Sequence, residues 1–189
     1  MLLSALIFSS AAAIAAGPGS PSTPTATSTS ATWSPRKLNF TYQGFTASYS
    51  CDGLQDEMKA ILQRLGASKD LIVKSRGCTR FQGPESFPGV EATFSVLEPA
   101  EGADPGAANS QNVAAHWDKV TLDSDTPGRS NDGQCELIEQ VKKYVLPLFK
   151  TRNLTYSSDC FPHADSLSGA RLSVEVLRPV KSALPPAPP

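Results

Sequence analysis

Leu54, Met58, Ile61, Leu62 and Leu65 fall at i, i+4, i+7, i+8 and i+11, the apolar stripe of a helix packed on one face. Asp52 is placed to cap its first amides, Gln55 to answer from three residues on, and Gly66 to end it in a left-handed turn. Before the helix, Phe45 to Tyr49 alternates as a strand does, with Leu38 to Tyr42 as a possible earlier strand across Gly44. After it, Leu71 to Ser75 reads as a short strand, and Val90, Ala92, Phe94 and Val96 alternate in a half-buried one.

The same order then returns. Ile138, Val145, Leu146 and Phe149 stand 84 residues after Leu54, Ile61, Leu62 and Leu65, with Val141 on the same face. This second helix begins around Cys135, and Pro147, which has no amide hydrogen to donate, should kink or stop it near Leu146. A weaker strand at Lys119 to Leu122 precedes it, and Leu154 to Ser157 and then Leu172, Val174 and Val176 follow. Tyr49-Ser50-Cys51-Asp52-Gly53-Leu54 to Cys78 matches Gly133-Gln134-Cys135-Glu136-Leu137-Ile138 to Cys160 at an offset falling from 84 to 82, and the copies close alike on Val96-Leu97-Glu98-Pro99 and Val176-Leu177-Arg178-Pro179. The pattern predicts an α+β domain of two βαββ repeats, 37–100 and 113–181, forming a two-layer mixed sheet with two helices on one face.

The ends differ in character. Residues 2–16 are an apolar run closing in small residues, which suits an export signal covering 1–16; the usual positive n-region is missing, and a short membrane anchor is the competing reading. Residues 17–35 are Pro, Ser, Thr, Ala and Gly with Trp33 and without charge, and read as a linker; 182–189 reads as a disordered tail. The duplicated domain is therefore expected over 36–181. Segment 101–112, with Gly, Ala, Pro and Asn and no period, is the expected mobile loop between the copies. Seventeen Lys and Arg against 18 Asp and Glu leave a net charge of −1, which argues against nucleic acid or an anionic membrane as partner.

Four cysteines in an apparently exported chain read as two disulfides with three possible connectivities. Shared ancestry of the copies would select Cys51 with Cys78 and Cys135 with Cys160, each bridge contributing roughly 3 to 4 kcal/mol in the chain-entropy picture. If each first cysteine ends one strand and each second cysteine ends the next, the bridge favours parallel neighbouring strands joined by a helical crossover. A split, ferredoxin-like order is the alternative. With no Cys-x-x-Cys and no histidine at ligand spacing, neither metal nor other cofactor is implied, and redox chemistry lacks its usual motif.

Little else has the spacing of a known chemistry. His116 and His163 each have a carboxylate two residues on, Asp118 and Asp165, so a general base oriented by an acid is conceivable, although both positions suit ordinary surface or turn roles. Lys74, Arg76 and Arg80 form a small basic cluster, with a solvated strand face as the plainer account. Asp52, Asp56, Glu57, Glu136 and Glu139 fit the favourable field of helix N-termini. Tyr42, Phe45, Tyr49, Phe81 and Phe87 could line a groove, or simply pack. The motifs of serine hydrolases, zinc proteases and P-loop enzymes are absent.

Tyr49-Ser50-Cys51-Asp52-Gly53-Leu54, with Leu62, Leu65-Gly66-Ala67, Asp70-Leu71 and Gly77-Cys78, resembles a pattern in uncharacterised exported proteins of Gram-negative bacteria, and Cys135-Glu136-Leu137-Ile138-Glu139-Gln140 fits it too. The resemblance implies a periplasmic or secreted location and carries no activity or catalytic residue. The expectation is a non-catalytic binding or envelope-interaction module whose partner is a protein, peptide or glycan, with a secreted hydrolase or transferase using a His/carboxylate pair as the alternative.

Overall fold

Two short polar strands and four longer ones make up the sheet, and the difference between them sets its order. A computed structural model describes residues 28–44, 48–79, 83–85, 87–100, 112–124, 134–160 and 169–180. In chain order they form β1 (Thr29–Thr41), α1 (Cys51–Arg64), β2 (Ile72–Arg76), β3 (Gly89–Pro99), β4 (Asn112–Asp123), α2 (Gln134–Gln140), β5 (Thr151–Ser158) and β6 (Ala170–Pro179). One six-stranded sheet runs in the order β2-β3-β1-β4-β6-β5 and is antiparallel at every pairing. The fold is therefore α+β, as expected, with an antiparallel rather than mixed sheet.

The expected parallel neighbours are not found. β3 lies between β1 and β2, and β6 between β4 and β5, which is the split order. The strands' own composition explains it: β2 and β5 are almost wholly exposed and suit edges, whereas β3 and β6 carry long buried runs that require neighbours on both sides. The bridges Cys51–Cys78 and Cys135–Cys160 still form, with Cα–Cα distances of 6.2 and 5.9 Å. Each first cysteine sits at the start of a helix and each second one two residues past a strand, so neither bridge has to span the intervening strand.

Several boundaries move. β1 begins at Thr29, inside the segment expected as linker, and takes in the earlier of the two expected strands; of the expected Phe45 to Tyr49 strand, residues 48 and 49 are not in a strand and 45–47 lie outside the described residues. Threonine, tryptophan and alternating apolar positions give 29–41 strand character despite its serines. Pro35 is accommodated because β4 accompanies β1 only over Thr29–Thr32, leaving that edge open beyond. The N-cap of α1 is Ser50, whose hydroxyl accepts from Gly53 N at 3.1 Å; Asp52 sits in the first turn, and the Gln55 side chain accepts instead from Ser75 N at 2.8 Å. Gly66 ends the helix with φ +95°, as expected. After Gln140, α2 continues as a π-helical turn (Val141–Val145) and a 3₁₀ turn (Leu146–Leu148). The Leu146 amide bonds back to Val141 O, five residues earlier, immediately before the proline that cannot donate. The export signal, the 101–111 part of the expected loop and the 182–189 tail lie outside the described residues.

Both helices pack on one face of the sheet around a single core that includes Leu54, Met58, Leu62, Val141 and Val145 from the helices and Phe40, Val90, Phe94, Val120, Leu172 and Val174 from the strands. Fully burying side chains of this size is worth about 1.5 to 3 kcal/mol each. Each helix also reaches across to the other three-stranded part. Phe149 stacks on Phe94, the Tyr42 hydroxyl donates to Glu136 at 3.0 Å, and Gln140 exchanges two hydrogen bonds with the backbone of Gln43. Reciprocally, Arg64 at the end of α1 donates to Thr121 O and its own carbonyl accepts from Arg178. On the opposite face, Ala31, Leu97, Ala115 and Leu177 form a second, smaller cluster where β1 meets β4.

Candidate functional site: a tryptophan groove beside β1

The chain's two tryptophans sit at matching places and have opposite fates. Trp33 on β1 is paired in register with Leu97 of β3, and Trp117 on β4 with Leu177 of β6, on the face of the sheet that carries the small cluster. Trp117 packs against that cluster, and the Arg152 guanidinium lies over its ring at 4.4 Å from the centroid. Arg152 is held there by Glu175, its cross-strand partner, at 2.5 Å. Hydrogen bonds from Asn153 and then Arg152 keep the Glu175 carboxyl below its usual range, so its charge persists into mildly acidic solution.

Beside Trp33 the corresponding positions are small. Ser68 and Ser95 join there through Ser68 N to Ser95 O at 2.9 Å and Ser95 N to the Ser68 hydroxyl at 2.8 Å. Among the described residues no lysine or arginine lies over the Trp33 ring; the residue is 37% exposed and borders a groove of about 620 Å³. The groove runs between the turn after α1, where Gly66, Ala67, Ser68, Lys69 and Asp70 line it, and the strand side, where Ser95, Arg178 and Pro179 do. Gly66 is required at this wall, since a Cβ there would lie 3.1 Å from Leu177 O and its φ is positive. Arg178 is neutralised by Asp118, at 2.8 Å.

The residues singled out by sequence are dispersed. His116 is half-buried on β4 with Arg178 as its cross-strand partner; Asp118 shares its face, but that carboxylate is engaged by the arginine. Lys74 and Arg76 are exposed on β2, Arg76 lying 3.7 Å from Glu91, and His163 and Arg80 lie outside the described residues. The four cysteines are all bridged. Glu136 and Glu139 have structural partners, Tyr42 for the first and Tyr156 and Ser158 for the second. Burial, and next the Glu136 carboxylate, hold the Tyr42 phenol well above its ordinary value. Of the suspected aromatic groove, Tyr42 is buried edge-on against Tyr49, Phe87 is exposed, and Phe45 and Phe81 lie outside the described residues.

Trp33 was hidden inside the apparent linker. Its signal was there to read: it precedes Trp117 by 84 residues, the separation of Cys51 from Cys135. Among the described residues no three His, Cys, Asp or Glu side chains group to hold a metal ion, and no helix is long and apolar enough to cross a membrane. The two bridges fit an oxidising compartment. No protein-family model, curated protein or solved structure matches the chain.

Proposed function

We propose that this chain is an exported, non-catalytic binding module of two related βαββ units, in which the unit beginning with β1 binds and the unit beginning with β4 braces it. The observation that carries this reading is the contrast at the two tryptophans: Trp117 is closed by Arg152 and Glu175, whereas Trp33 borders an open groove with serines at the matching positions. An exposed indole rimmed by polar side chains suits a peptide or glycan, because a flat apolar face and a few directed polar groups can both be used at once. Disulfides, and the resemblance to exported Gram-negative proteins, support a periplasmic or secreted location.

The test compares the full chain with Trp33→Ala on peptide and glycan arrays. Ligands retained by the native chain and lost by the variant are expected. An array profile unchanged by Trp33→Ala would sink the reading.

A further inference from the structure

We infer that the Trp33 groove receives an arginine side chain presented by a partner peptide or protein, an inference that rests on the binding-module reading above. The fold contains its own template for this contact. Over Trp117 the occupant is a guanidinium, 4.4 Å from the centroid of the ring and paired with a carboxylate. Arg152 follows Ser68 by 84 residues, as Trp117 follows Trp33, and Glu175 follows Ser95 by 80, as Leu177 follows Leu97. Where one part supplies its own arginine, the other has two serines and about 620 Å³ of space beside the same ring.

Charge leaves room for that occupant, with one carboxylate to meet it and one ammonium to oppose it. The charged residues lining the groove are Lys69, Asp70 and Arg178, and Arg178 is already paired with Asp118. Asp70 is then the carboxylate available to an incoming guanidinium, in the part Glu175 plays for Arg152, while Lys69 opposes it. A planar cation also gains from the indole face in a way that a neutral ligand of the same shape does not.

The test follows the two indole N–H signals by NMR in the full chain, assigned with Trp33→Phe, while Nα-acetyl-arginine amide, its lysine analogue and the uncharged citrulline analogue are added. The arginine probe should shift the Trp33 signal saturably, the other two several-fold more weakly, and leave Trp117 unmoved. Asp70→Asn should weaken arginine binding and Lys69→Gln strengthen it, each by roughly two- to fivefold. Ser68→Arg with Ser95→Glu, which copies the plug, should abolish the response. Arg152→Ser with Glu175→Ser should open the second ring, so that Trp117 responds too.

An equal response to citrulline, tighter arginine binding by Asp70→Asn with weaker binding by Lys69→Gln, or no response at all would overturn the arginine assignment. Loss of the binding-module reading would show differently, as array profiles indifferent to Trp33.

Discussion

Arg152 touches an indole on one side and a carboxylate on the other, so the closed state of Trp117 is tied to the charge of Glu175. Because the folded-state pKa of Glu175 is lowered, the ionised form is favoured by folding. Its contribution is present above the ordinary glutamate value and is lost as pH falls through the lowered folded value. In a Trp33→Phe background, Trp117 emission should hold steady from neutral pH down through the ordinary glutamate value and change only below it. A Glu175→Gln control should lack that step, and a transition centred at or above the ordinary glutamate range would contradict the assigned partners. Asn153, with φ 53°, sits where the β5 register slips between Arg152 and Thr155, so a local irregularity holds both donors to the carboxylate.

Elements are joined here by arginines that reach past their own strands. Arg36 on β1 pairs with Glu98 on β3 and also donates to Leu148 O at 3.3 Å, at the end of the second helical segment; Arg178 on β6 pairs with Asp118 and donates to Arg64 O, at the end of α1. Each cation thus meets the carbonyl end of a helix belonging to the opposite three strands, where the helix dipole welcomes it. Arg36 is half-buried, so Arg36→Ala should cost about 1 to 3 kcal/mol in urea unfolding, from the charged hydrogen bonds and from the carboxylate left behind. A change below a few tenths would mean that Glu98 and Leu148 O find water without penalty. These ties were not legible in sequence, because they depend on which strands become neighbours. The helices were legible, since a stripe at helical spacing needs no knowledge of partners, and so was the cysteine pairing once the copies were aligned. Strand order was misjudged because the cysteines were placed on strands. The polar run Lys74-Ser75-Arg76 already marked β2 as an edge, and Ser50, one residue before Cys51, already offered a cap.

At the scale of the molecule, among the described residues the two three-stranded parts pair as strands along Thr29–Thr32 and Asn112–Ala115, while the helices bind across the gap. Neither three-stranded part closes its core alone: Phe94 needs Phe149, Tyr42 needs Glu136, and the end of α1 needs Arg178. A chain truncated after Pro99 should therefore lack the dispersed methyl signals of a packed core, and the full chain should unfold in one transition. A folded fragment, or two separate transitions, would show the parts to be independent. The cross-bracing also sets a schedule. A polypeptide made from its N-terminus holds α1 without its distant clasp until residue 178 has been added, so the clasp on α1 can close only after β6 has been made.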